Sequence, residues 1–267
     1  MMNWNLDFFH SGEWDVVREK LQDLRERGEV HCPQREDLFK ALEATKFRDV
    51  KVVLMGQDPY PNPRFATGLS FSIPRDVPRE EWPPTLVNLL REYQDDLLWP
   101  EPRLGDLSWW ARQGVLLWNA VPSCEAWKSA SHRWPEWEYL TKEIVEKLDK
   151  KKNVVFIFVG GVSKAYRQYV KDCDCIETAH PSPRAKNAST PFFGSRIFSR
   201  ANNMLAEIGV TPVDWKLWDN KSKNNEQEPQ EQLETQPDVQ SVVEGEQSSA
   251  ELRPSSREVE GVGAKSS

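Results

Sequence analysis

Hydrophobic and polar positions follow two rhythms along most of the chain. Four short apolar or β-branched runs, "KVVLM" (51–55), "VLLWN" (115–119), "NVVFIFV" (153–159) and "CIETA" (175–179), are bounded by chain breakers and read as central strands. Between and before them the apolar positions recur every three or four residues: Val16 to Leu24, Glu36 to Leu42, Leu86, Leu89, Leu90 and Tyr93, then Trp137, Leu140, Ile144 and Leu148. That spacing puts one apolar stripe on each of four helices, whose ordinary use is core packing. Strands alternating with helices predict a single-domain α/β fold, with a central four-stranded, mostly parallel sheet flanked by helices.

The chemistry sits where the strands end. Asp58 follows the first run, Asn119 closes the second, Gly160 and Gly161 follow the third, and His180-Pro-Ser-Pro follows the fourth. Ligands of open α/β sheets bind outside the carboxyl ends of the strands, so these four ends are expected to face one crevice. Each feature alone is ordinary: an Asp in a turn is usually a cap, a single His a surface or core residue, and Gly-Gly a tight turn. The stretch "VLMGQDPYPNPRFATGLSFSIP" (53–74) is less ordinary, because Asp58 leaves a buried strand into a loop stiffened by Pro59, Pro61 and Pro63.

Charge divides the chain. Its net charge is −7, but residues 219–267 hold 11 acidic and 5 basic residues, leaving 31 acidic and 30 basic in the first 218. The terminal segment is rich in Glu, Gln, Ser and Pro, has no aromatic residue, and cannot bury enough apolar surface to offset its chain entropy. We therefore expect a folded domain over 1–218 and a disordered acidic tail over 219–267. No stretch approaches the roughly 20 apolar residues of a membrane span. The start has no basic lead or apolar core of a secretory signal, so the context is read as intracellular. Cys32, Cys124, Cys173 and Cys175 are few and irregularly spaced, which fits reduced thiols rather than a disulfide framework or a structural zinc site. No metal is expected.

Six segments, "GQDPY" (56–60), "GLSFS" (68–72), "PPTLVN" (83–88), "GVLLWNAV" (114–121) and "HPSP" (180–183) with "FFGSRIFSRANNML" (192–205), resemble the successive signatures of the family-1 uracil-DNA glycosylases. With "HCPQREDLFKALEATKFRDVKVV" (31–53), the similarity spans about residues 4 to 218. The resemblance implies an enzyme that flips uracil out of DNA and hydrolyses its N-glycosidic bond, leaving an abasic site, without metal or cofactor. It assigns Asp58 to the positive charge on the sugar and to the attacking water, and His180, as a neutral imidazole, to the carbonyl of the departing base. Asn119 would read uracil's pairing edge, Phe71 would stack on it, and Tyr60 would block a 5-methyl group. Gln57 would add backbone contacts. Pro83, Pro84, Thr85, Gly160, Gly161 and Ser182 match the family's phosphate-gripping loops. The implied partners are single- and double-stranded DNA containing uracil, with a monomeric enzyme and an acidic tail open to replication or repair proteins.

Five positions depart from the family pattern. Pro61-Asn62 replaces the usual His-Gly, Thr67 a second His, and Gly161 a Ser. Arg184 stands where a Leu normally wedges into the base stack, and is expected to stack its guanidinium or to grip a phosphate. "LDFF" (6–9) has a faint likeness to sliding-clamp-binding peptides but is one residue short, and is read as local packing. Two other functions compete with this reading. An iron–sulfur branch of the glycosylases would want closely spaced Cys runs. A non-catalytic DNA-binding module would have no use for the pair Asp58 and His180.

Overall fold

The computed structural model describes residues 4–183 and 191–217; Arg184 and the acidic segment 219–267 lie outside the described residues. The strands β1 (His31–Cys32) and β4 (Cys124–Glu125) form a small antiparallel ribbon. The strands β2 (Val52–Gly56), β3 (Val115–Asn119), β5 (Val155–Val159) and β6 (Asp174–Thr178) form one parallel sheet in the order β3-β2-β5-β6. All four apolar runs of the sequence are thus strands of one sheet, but only β2 and β5 are central. β3 reads as central because it is buried along its whole length despite its edge position, packed under α2 (Lys40–Ala44) and α4 (Ser108–Arg112). β6 is an edge of the more usual kind, burying Ile176 and Thr178 while Asp174 and Glu177 face solvent.

Helices α1 (Glu13–Glu26), α3 (Pro84–Leu97), α5 (Pro135–Asp149), α6 (Gly161–Lys164) and α7 (Ile197–Glu207) complete the fold. α3 and α5 each start with Pro in the first turn, where its missing N–H costs nothing. The helix expected over Glu36 to Leu42 is instead a single 3₁₀ turn, Arg35–Asp37, followed by the short α2. Phe39 leaves the helical region (φ −115°, ψ 19°), and its buried ring packs edge-on to Trp14 and Trp137. Burial of that ring outweighs a weak helical preference.

The core is rich in tryptophan, and several of its buried indoles are hydrogen-bonded, although that of Trp215 finds no partner among the described residues. Trp118 Nε1–H donates to Thr141 Oγ1, Trp137 Nε1–H to Ser123 Oγ, and Trp110 Nε1–H to the carbonyl of Trp215. "LDFF" is packing, as expected: Leu6 and Phe8 are buried and Phe8 stacks on Trp137.

His132 is buried beside this core, its Nδ1 2.9 Å from Ser123 Oγ and its ring stacked on Trp134, while no partner reaches Nε2 among the described residues. Burial, helped by the charge of His31, lowers its pKa from 6.5 to about 4. Between those values the unfolded chain binds a proton that the folded chain refuses, so stability falls as pH drops below 6.5. At pH 5 this one group should cost about 2 kcal/mol relative to pH 7. Urea unfolding at pH 7 and pH 5 checks it: the wild type should lose about that much more than a His132→Gln variant.

Candidate active site

The parallel register fixes where the candidate residues arrive. Gly56 and Asn119 are paired at the ends of β2 and β3, and the pairing continues with Ala120 N–H to Gly56 O and Val121 N–H to Gln57 O. Val159 pairs with Thr178, which brings Gly160 and His180 out of the sheet side by side. A cavity of about 410 Å³ lies at this edge, lined by Gln57, Asp58, Tyr60, Phe71, Asn119 and His180, with Thr67, Thr85, Ser129 and Ser182 among its other walls. A cavity of about 320 Å³ under α1, lined in part by Trp14, Arg18, Arg25, His31 and Arg35, contains none of the candidate residues.

Asp58 is fixed by three donors. Gln57 Nε2–H donates to Oδ1 at 2.9 Å; Ser129 Oγ–H and the backbone N–H of Ala130 donate to Oδ2 at 2.7 and 2.6 Å. Gln57 therefore acts through its side chain as well as its backbone, and its carbonyl is committed to Val121. The prolines following Asp58 are tied down from below: the thiol of Cys124 donates to Pro59 O and that of Cys32 to Pro61 O, and the two thiols face each other across the β1–β4 ribbon. The carboxylate's position is over-determined, which suits a group that must meet charge without reorganising.

His180 is held differently. Its Nδ1 accepts the backbone N–H of Ser182 at 3.1 Å, so the neutral ring carries its proton on Nε2. Burial lowers its pKa below 6.5, with the charge of Asp58 opposing more weakly. At neutral pH His180 is an uncharged donor.

Gly160 makes room for that ring. A Cβ there would stand 3.0 Å from His180 Cβ and 3.2 Å from Cδ2, and its φ of +90° disfavours any L side chain. Gly160→Ala should lower the maximal rate of the site about tenfold or more with a smaller change in KM, because it displaces the imidazole rather than the substrate's other contacts. Steady-state kinetics on this variant, with a thermal unfolding control, checks that split.

The base-sized part of the cavity is equally tight. A Cβ on Gly56 would lie 2.4 Å from Ser70 Oγ, 2.8 Å from Asn119 Oδ1 and 3.2 Å from Phe71 Cζ. Phe71 sits at φ +65°, a conformation costing a bulky residue about 1–3 kcal/mol. It is held there by Tyr60, whose hydroxyl donates to Phe71 O at 3.0 Å. Burial pushes the Tyr60 phenol well up, so it stays a neutral wall. The Phe71 and His180 rings are 6.3 Å apart, tilted by 44°. The arrangement offers a planar heterocycle an aromatic face, an amide edge and one imidazole N–H, with a carboxylate in the same cavity.

The remaining sequence candidates are close by. Thr85 and Ser182 line the cavity; Pro84 adjoins Thr85 and Gly160 lies against His180, while Pro83 and Gly161 are each one residue further along the chain. Asn88 Nδ2–H donates to Pro181 O at 2.6 Å, tying the "HPSP" turn to α3. One turn further along α3, Glu92 accepts the N–H groups of Gly194 and Arg196. Sequence reasoning missed Ser129, Ala130, Asn88 and Glu92. No local pattern in the sequence marks the first two.

A family model described as Uracil DNA glycosylase superfamily matches residues 44–206. The chain belongs to that superfamily. It is 42% identical over 193 residues to a uracil-DNA glycosylase from Campylobacter lari, covering 71% of this chain and 82% of the relative. It is 39% identical over 214 residues to one from Acinetobacter baylyi, covering 79% and 89%. The crystal structure of mimivirus uracil-DNA glycosylase superposes with a TM-score of 0.69 at 26% identity, over 78% of this chain and 84% of that one. The superfamily match takes in Asp58, Asn119 and His180 together.

Proposed function

We propose that this chain is a family-1 uracil-DNA glycosylase, a monofunctional hydrolase that extrudes uracil from DNA and cleaves its N-glycosidic bond. Its product is an abasic site, the starting point of base excision repair. The observation that carries this reading is the shared cavity in which the fixed carboxylate of Asp58 and the neutral Nε2–H of His180 meet Asn119, Tyr60 and Phe71.

Heterolysis of the glycosidic bond puts positive charge on the sugar and negative charge on the departing base, so fixed groups that meet those charges lower the barrier. Asp58 offsets the oxocarbenium and orients the attacking water; His180 donates to the uracil carbonyl that gathers charge. Asn119 presents both an acceptor and a donor to the pairing edge, Phe71 stacks on the ring, Tyr60 closes the space a 5-methyl group would need, and Gln57 steadies Asp58. Pro83, Pro84, Thr85, Gly160, Gly161, Ser182 and Arg184 grip the phosphates flanking the flipped nucleotide, with Thr85 and Gly161 supplying backbone N–H groups, since those of Gly160 and Ser182 go to Thr178 O and His180 Nδ1. We assign the catalytic unit to residues 1–218, acting as a monomer inside the cell. No helix among the described residues is long and apolar enough to cross a membrane.

The test is a panel of single-stranded oligonucleotides carrying one uracil, thymine or cytosine, with U:A and U:G duplexes beside them. Free uracil should appear from each uracil strand and no base from the others. Binding without release by the wild type would contradict the reading.

A further inference from the structure

The loop that clamps Asp58 also displays an indole to solvent. Trp127 is 71% exposed, in a protein whose other large aromatic side chains are mostly buried or half-buried. It is held in the left-handed region at φ +68°, where a bulky side chain is rarely found without a reason. Ala130, in the same loop, is at φ +61°.

The loop is rigid at both ends. Ala126 N–H donates to Val30 O at 2.7 Å, Trp127 N–H to Pro61 O at 2.7 Å, and Ser129 and Ala130 donate to Asp58. Pro61 and Ser129 both line the active-site cavity, so the backbone of Trp127, bonded to the first and two residues from the second, adjoins two of its walls. The neighbouring cation, Lys128, is paired with Glu125 within the loop rather than left for a phosphate. The loop thus spends its own charge internally and offers an aromatic face.

We propose that Trp127 is a stacking platform for a nucleobase of the DNA strand beside the extruded nucleotide, and that it favours single-stranded substrate. This rests on the glycosylase reading above. Stacking on an aromatic ring is sequence-tolerant, because every base has a π face, and a base in an unpaired strand has a face free to give. A duplex covers those faces with neighbouring bases, so the contact contributes less there. Stacking also supplies affinity that a nearly neutral protein surface lacks.

The full-length wild type, Trp127→Ala and Trp127→Phe should be compared for binding, by fluorescence anisotropy, and for single-turnover uracil release. The substrates are a single-stranded oligonucleotide with one uracil and a series in which one flanking nucleotide at a time is an abasic spacer. Trp127→Ala should bind the intact strand about tenfold more weakly, with a maximal rate within about twofold of wild type, and Trp127→Phe should bind nearly normally. One spacer position should weaken the wild type about tenfold and leave Trp127→Ala unchanged. The proposal is overturned if Trp127→Ala matches the wild type on every strand, the result expected if the indole docks a protein. It is also overturned if the variant loses maximal rate at unchanged affinity, or if every spacer weakens both proteins equally. Anisotropy needs no base release, so failure of the excision reading and failure of this one are told apart.

Discussion

Asp58→Asn is expected to lower the single-turnover rate of uracil release by about 10³, roughly 4 kcal/mol of transition-state stabilisation, with little change in affinity for uracil-containing DNA. The two states of the substrate differ at the sugar, which carries positive charge only as the bond breaks, so an anion beside it acts on the rate more than on binding. The amide of Asn keeps the shape and one acceptor but removes the charge. Its NH₂ would also confront the donors of Gln57 or of Ser129 and Ala130 that now converge on the carboxylate. Because Asp58 is half-buried in a loop and not in the core, global stability should move by less than about 1 kcal/mol. Rapid-quench measurement of free uracil, with urea unfolding alongside, separates the two effects. An Asp58→Asn variant retaining a tenth or more of the wild-type rate would remove Asp58 from the chemistry.

His180→Leu should cost about 10² to 10³ in the same rate, the usual loss when one donor to a developing anion is removed. His180→Gln, which keeps an N–H donor, should recover part of that loss. The pH profile carries the sharper signature. Burial lowers the folded pKa of His180, so as pH falls the ring stays neutral past the point where an ordinary imidazole takes up a proton. A neutral donor acting as such predicts that the rate is flat through pH 6.5 and falls only at lower pH. An imidazolium acting as a general acid would give the opposite, a rate that rises as pH falls. The His180→Leu variant should lack the acid limb that the imidazole produces.

Much of this is legible in the sequence. The four strands are readable because each is a short apolar run with a breaker after it, and parallel strands send such breakers to one edge. That is why Asp58, Asn119 and His180, far apart in sequence, are expected to meet. Tyr60 and Phe71 enter by resemblance, and the structure adds why they work as a pair: one hydroxyl holds the other's strained backbone. What the sequence hid came through loops that close from a distance. Ser129 reaches Asp58 across 71 positions, and its immediate surroundings, "WKSAS", contain no pattern that marks a clamp. Gly160 reads as a phosphate grip, and its clearance against His180 depends on the β5–β6 register, which no local motif encodes. Strand order escapes for a similar reason, since β3 is covered by helices and so has the composition of a central strand. The break at Phe39 reflects a tertiary aromatic contact that overrides a local periodicity.

The proposed chemistry hinges on an uncharged imidazole that donates to the leaving base while an anion meets the charge on the sugar. Nitrogen-15 NMR of the His180 side chain at pH 7, in the full-length protein, examines that state directly. We predict a neutral ring protonated at Nε2, with Nδ1 shifted as an acceptor from Ser182. A doubly protonated ring at that pH, or a proton on Nδ1, would contradict the mechanism.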